Sequence, residues 1–164
     1  MTDIPVPGIP VPDSAAADTD VFITRVFAAP RSVVWKFFTE PAYLAQWFGP
    51  ATVHVDPASV VVDAVAGGPW NLDMVDDASG ARFPVRARLA VVIAPEYLEG
   101  VLSADAEEGE IRDVTLRIWL HDHGDTTRMT LHQGPFAPEF RQPTVDGWTE
   151  SFHKVDELLA GGLS

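Results

Sequence analysis

The chain has 164 residues, 46% of them apolar, which is enough for one domain with a sizeable core. Its formal net charge of −13 and its scattered arginines disfavour nucleic-acid binding, because such a surface repels phosphates. Cysteine is absent, which excludes disulfides and thiolate metal sites, and no apolar run approaches the ~18 residues of a membrane span.

The first segment, residues 1–19, is predicted to be a disordered, proline-rich tail. Its prolines alternate with small apolar residues, a pattern typical of extended, solvated backbone. The segment also lacks the basic and apolar regions of a secretory signal, so we expect a cytoplasmic protein without membrane insertion. A single folded domain is predicted over residues 20–164.

The domain is predicted to begin with a strand over residues 21–27, followed by two short helices. Pro30 suits the first turn of one helix, and the other runs from Ala42 to Trp47. Turn-forming clusters then separate six further strands, over residues 52–62, 69–76, 82–93, 97–104, 111–121 and 126–134. The last predicted element is an amphipathic helix from about Thr144 to Ala160.

One segment indicates how the sheet bends. Gly67 and Gly68 lie between two predicted strands, where adjacent glycines permit a sharp change of direction. After them Trp70, Leu72 and Met74 alternate onto one side of a strand, which would be the concave side. These large residues either fill a core or line a pocket, and the pattern leaves both open.

The order of elements favours an α+β fold in which a curved antiparallel sheet wraps around the long C-terminal helix. Together with five short segments it resembles the activator of heat-shock protein 90 ATPase homologue family, in the START/SRPBCC (birch-pollen-allergen-like, helix-grip) superfamily. The matching segments are residues 29–35, 39–41 with 47–50, 63–70, 124–128 and 147–151. The resemblance implies seven strands and a cavity between sheet and helix. The family often has an arginine where this chain has Val65, which implies a less polar pocket rim.

We expect the cavity to bind a small hydrophobic or aromatic molecule, a lipid included. Aromatic and other large side chains, with one serine, form the predicted ligand-binding set. Gly147, which precedes Trp148 and is not part of the set, either lets the helix approach the sheet or leaves room for the ligand. The set comprises Phe38, Trp47, Trp70, Leu72, Met74, Phe83, Leu116, Ile118, Met129, Leu131, Trp148, Ser151 and Phe152.

No catalytic group, metal site or cofactor is predicted. The hairpin should pair His121 with about residue 126, which leaves His132 too far away for a shared ion. Ser151 and His153, two positions apart on a helix, point in different directions and do not form a triad with Asp156. Asp63 is the best candidate for an unusual carboxylate, against the simpler interpretation of a turn residue.

Three functions remain open, and a binding module is favoured. The second is an enzyme, such as a cyclase or hydrolase, that uses polar groups of the same cavity. The third is a chaperone-interaction protein, as the family's name suggests, and it is disfavoured because a dedicated co-chaperone would be expected to carry a further interaction domain. A homodimer is left open, and the fold alone does not decide among these functions.

Overall fold

The computed structural model describes residues 19–106 and 109–161, so the predicted tail lies, apart from Thr19, outside the described residues. Helices α1 (Arg31–Thr39) and α2 (Pro41–Leu44) follow the first strand, β1 (Val21–Phe27), and helix α3 (Pro138–Ala160) comes last. The strands between them are β2 (Val53–Val55), β3 (Val61–Val62), β4 (Pro69–Asp76), β5 (Arg82–Ile93), β6 (Tyr97–Ala106), β7 (Gly109–His123) and β8 (Thr126–Gly134).

The strands form one antiparallel sheet that curls into a half-barrel. Seven of them follow the order β1-β8-β7-β6-β5-β4-β2, and the two-residue β3 pairs with β4 beside that path. The helix-grip α+β fold is therefore confirmed. The segment predicted as one strand over residues 52–62 is divided, because Pro57 starts a 3₁₀ turn over Pro57–Ser59 that Asp56 caps through its side chain.

Helix α3 begins at Pro138, six positions before the predicted start at Thr144. An interior proline removes a helical hydrogen bond, so a helix that runs through Pro143 is not expected from the sequence. In the structure Pro143 lies inside α3, and the hydroxyl of Thr144 donates to the Phe140 carbonyl at 2.7 Å. Within the described residues no helix is long and apolar enough to cross a membrane.

Two tryptophans attach the end of α1 to the rest of the core. The indole Nε1–H of Trp47 donates to the Phe37 carbonyl at 2.8 Å, and that of Trp70 donates to the Phe38 carbonyl at 2.7 Å. Carbonyls in the last turn of a helix lack helical partners. These bonds satisfy two of them and link α1 to β4 and to the segment after α2.

Trp119 packs on the outer face of the sheet. Ile118 and Leu120, its neighbours in β7, belong to the main core, whereas Trp119 alternates to the other side and packs against Tyr97 of β6. It is only 2% exposed, and its Nε1–H has no hydrogen-bond partner among the described residues. Trp119 is therefore buried, but apart from the concave face.

Candidate functional site

A cavity of about 490 Å³ lies between the concave face of the sheet and the N-terminal half of α3. The sheet contributes mostly apolar walls from β4, β5 and β6, and residues 48–53 close one side. The lining side chains of these three strands include Met74, Phe83, Val85 and Leu102. An apolar cavity of a few hundred cubic ångströms with a few polar groups is the usual form of a small-molecule site.

Gly147 leaves space in the cavity. Phe140, Thr144, Gly147 and Ser151 follow one another at spacings of four, three and four residues, so they share the face of α3 that lines the cavity. A Cβ built at Gly147 would meet no atom within 4 Å. Of the two roles that the sequence left open for this glycine, the structure favours leaving room over close approach to the sheet.

Trp148 and Gln133 form a buried polar pair at the cavity wall. The indole Nε1–H of Trp148 donates to Gln133 Oε1 at 2.8 Å, and both residues line the cavity. Because an indole nitrogen is only a donor, the amide oxygen must face it. The two N–H groups on Gln133 Nε2 therefore point away from Trp148, and they donate to no partner among the described residues.

The mouth loop, residues 45–52 between α2 and β2, is fastened to α3. The Gly49 N–H donates to Ser151 Oγ at 3.0 Å, and the Ala51 N–H donates to Glu150 Oε1 at 2.7 Å. The Lys154 ammonium donates to the carbonyls of Pro50 and Val53, at 3.0 and 3.2 Å. Burial lowers the pKa of Lys154, so removing this ammonium from water opposes the gain from its two bonds.

We expect Lys154→Met to loosen the mouth loop while the fold is retained. The methionine keeps the apolar stem but leaves two carbonyls without their donor, which should cost about 1 kcal/mol of unfolding free energy. Hydrogen exchange should accelerate at the amides of Gly49 and Ala51. Lys36→Met, which changes the chain's other lysine on an exposed position of α1, is the control. Unchanged exchange in the mouth loop would contradict the fastening role.

Four carboxylates line the cavity, and no described lining residue is Lys, Arg or His. Asp76 accepts hydrogen bonds from the backbone and hydroxyl of Ser79, which lower the pKa of its carboxyl and keep it ionised. The other acids are Asp105, Asp146 and Glu150.

The prediction of a less polar rim assumed that residue 65 lies at the cavity. Val65 is 51% exposed and does not line the cavity, so this assumption is wrong.

The structure places four of the thirteen predicted ligand-binding residues at the cavity wall: Met74, Phe83, Trp148 and Ser151. The other nine are buried in the main core beside it. They are Phe38, Trp47, Trp70, Leu72, Leu116, Ile118, Met129, Leu131 and Phe152. Helices α1 and α2 and the C-terminal half of α3 carry side chains that fill that part of the half-barrel, so the space lies nearer to the start of α3.

The sequence prediction missed Gln133, Phe140 and the mouth loop. Gln133 could have been found, because it follows Met129 and Leu131 by two-residue steps and so shares their concave face. Phe140 could not have been found, because the proline at position 143 argues against a helix that includes residues before it. The mouth loop carries no periodic signal that would orient it toward the cavity.

The candidate reactive groups are separated. Ser151 Oγ donates to the Gly147 carbonyl, Asp156 forms an ion pair with Arg25, and His153 is exposed. Asp63 is an exposed turn residue outside the cavity. His121 pairs with Arg128 rather than with residue 126, because the hairpin turns between His123 and Thr126. Among the described residues no three His, Asp or Glu side chains are grouped to hold a metal.

Comparisons with known proteins agree with this architecture. The profile of a family described as Activator of Hsp90 ATPase homolog 1-like protein matches residues 28–160. No curated protein matches the sequence. Among solved structures, the AHSA1 protein of Silicibacter pomeroyi is 24% identical, with a TM-score of 0.74 over 86% of this chain and 97% of its own.

Two further solved structures have the same fold. A protein of Nitrosomonas europaea is 25% identical, with a TM-score of 0.73 over 89% of this chain and 97% of its own. A protein of Mycobacterium smegmatis is 22% identical, with a TM-score of 0.74 over 93% of this chain and 99% of its own. At these identities the likeness establishes the fold and leaves the ligand to be inferred from the cavity itself.

Proposed function

Because the chain belongs to the Activator of Hsp90 ATPase homolog 1-like family, we propose that it is a cytoplasmic protein that binds a small hydrophobic or aromatic molecule in its cavity. The observation that carries this proposal is the unfilled space of about 490 Å³ in front of Gly147. The space opens to solvent at its mouth and is lined mostly by apolar side chains, so a small apolar molecule could enter it and bury surface there.

The cavity wall is suited to an apolar occupant. Met74, Phe83 and Trp148 present flat or flexible apolar surface, and burying a ligand against it is favourable at about 25 cal/mol per Å². The Trp148 ring is held by Phe48 and Phe152, at ring-centroid distances of 5.6 and 5.4 Å. A wall fixed in this way needs little ordering when a ligand enters, which favours affinity.

An enzyme on the same cavity has less support. Ser151 Oγ accepts a hydrogen bond from the Gly49 N–H and donates its own proton to the Gly147 carbonyl. A carbonyl is not a base that could take this proton, so among the described residues nothing activates Ser151 as a nucleophile. The acid–base candidates would be the four carboxylates, which are half-buried or exposed. The pKa of Asp76 is lowered by its bonds to Ser79, whereas a general acid requires a raised one. A chaperone contact rests on the family's name alone.

We expect Gly147→Phe to weaken ligand binding without loss of stability. The new ring would occupy the space in front of the helix, which offers it no clash within 4 Å of the Cβ. The probe is an acylaminonaphthalene dye, that is, a naphthalene with a ketone on one ring and a dialkylamino group on the other, whose fluorescence rises in apolar surroundings. Its binding should weaken by at least about tenfold, or 1.4 kcal/mol. Fluorescence titration measures the affinity, and a urea melt measures the stability.

Gly147→Ala is the matched control. Alanine adds only one methyl group to the cavity and should raise the unfolding free energy by about 0.5–1 kcal/mol, because glycine is unfavourable in a helix interior. The dye should bind this variant almost as well as the parent. Equal dye binding by the parent and by Gly147→Phe would place the dye elsewhere and contradict the proposal.

A further inference from the structure

We propose that the cavity selects a hydrophobic organic cation whose apolar body also carries an oxygen acceptor, such as a ketone. This inference rests on the function proposed above and specifies the chemical class of its ligand. Two features carry it independently: the free amide donors of Gln133 and the uniform negative charge of the ionisable lining residues.

The first feature is an amide donor that faces the cavity and has no partner among the described residues. Gln133 is only 3% exposed, and Trp148 fixes its amide so that Nε2 is left with two unused N–H groups. A ligand that displaces water from the cavity must offer these N–H groups an acceptor or leave them unpaired, and an unpaired donor weakens binding. Since Gln133 lines the cavity, a ligand that presents an oxygen there would supply the missing acceptor.

The second feature is the charge of the mouth. Asp76, Asp146 and Glu150 accept hydrogen bonds from Ser79, Gln142 and Ala51, all of which are neutral donors that leave each carboxylate's charge in place. Asp105, the fourth lining acid, has a cationic partner in Arg112 at 2.9 Å.

The nearest lysine does not reverse this sign. The Lys154 ammonium attracts the carboxylate of Glu150, one helical turn before it, but it donates to the carbonyls of Pro50 and Val53 and does not line the cavity. An anion that enters the cavity therefore meets carboxylates without a described lining cation to receive it. A cation at the same place is attracted, and the attraction is strongest at low ionic strength.

The burial of the two features gives the ligand an orientation. Gln133 is buried, whereas the four acids are half-buried or exposed and so lie at the open side of the cavity. The neutral oxygen should therefore enter first and accept from Gln133. The charged group should remain at the mouth, where it keeps part of its hydration and avoids the cost of full burial.

Three dyes of one scaffold test the charge preference. All share the acylaminonaphthalene ring and its ketone, and they differ by a trimethylammonium, a hydroxyl or a carboxylate on the amino substituent. At low salt we expect the cation to bind about tenfold more tightly than the anion, with the neutral dye between them, and the ratio to shrink toward one in roughly 0.5 M salt.

Variants then identify the groups responsible. Asp146→Asn keeps an acceptor for Gln142 and should reduce the cation-to-anion ratio by about threefold. Glu157→Gln removes an equal charge from an exposed position of α3 outside the cavity and should leave the ratio unchanged. A ratio that falls equally in both variants would mean that the net charge, rather than the cavity, selects the cation.

The ketone reports on Gln133, because hydrogen bonding to it shifts the dye's emission to longer wavelength. We expect the dye bound to the parent protein to emit at longer wavelength than in an apolar solvent without hydrogen-bond donors, and to lose this shift on Gln133→Met. Emission from the parent complex at the wavelength of that solvent would overturn the role of Gln133 even if the variant failed to fold. Equal binding of the three dyes, or a preference for the anion, would overturn the charge selection alone, whereas no binding at all would also overturn the proposed function.

Discussion

Replacing Phe152 with alanine is expected to lower the free energy of unfolding by about 3–5 kcal/mol. Phe152 is fully buried, and its ring lies 5.5, 5.9 and 5.4 Å from those of Phe27, Trp47 and Trp148. Through these contacts one side chain of α3 joins the first strand, the mouth loop and the cavity wall. Chemical denaturation monitored by circular dichroism measures the loss.

Phe83→Ala is the matched comparison, because it removes the same atoms from the cavity wall. Phe83 is half-buried and already borders empty space, so it gives up fewer contacts and should cost less than about 2 kcal/mol. Dye affinity should fall in Phe83→Ala. A larger loss of stability from Phe83→Ala than from Phe152→Ala would mean that the division into core and cavity is drawn in the wrong place.

Gly68→Ala is expected to destabilise the domain by about 3 kcal/mol or more. A Cβ at this position would lie 2.1 Å from the Asp63 carbonyl oxygen and 3.0 Å from that of Val65, both of them backbone atoms. The turn before β4 would have to open, and its bond from the Gly68 N–H to the Val65 carbonyl would be strained. Thermal and urea melts of the variant measure the effect.

Gly67→Ala separates close approach from backbone strain. Gly67 has a φ of +84°, but no atom lies within 4 Å of the position that an alanine methyl group would take, so only the left-handed conformation is penalised. That penalty is about 1–2 kcal/mol. If both alanine variants lose the same stability, the contact between Gly68 and Asp63 is not the reason that the sequence carries two glycines here.

Much of the fold could be predicted because each element carries its own local pattern. The alternation over residues 69–76 and the paired glycines before it indicate a strand that enters a bend, and the structure has β4 at Pro69–Asp76. The stripe through Trp148, Phe152 and Val155 likewise identifies the packed face of α3, where all three are buried.

The position of the cavity could not be predicted from those patterns. Trp70 and Met74 alternate onto the same face of β4, yet the Trp70 indole is bonded to the end of α1, whereas Met74 borders the cavity. The difference depends on which helix covers each end of the sheet, and the periodicity of a strand carries no information about that. The helical turns before Thr144, which place Phe140 at the cavity, could not be predicted for a different reason: a proline such as Pro143 is seldom found inside a helix.

Binding in the cavity is tested most directly by the indole N–H signals of the five tryptophans in a two-dimensional nitrogen–proton NMR spectrum, recorded as the cationic dye is added. Trp148 lines the cavity, so its indole signal should shift saturably with the dye. Trp119, buried on the outer face, is the internal control and should not move. A Trp148 signal that stays in place while the dye binds, or one that moves no more than Trp119, would contradict the proposal that this cavity is the binding site.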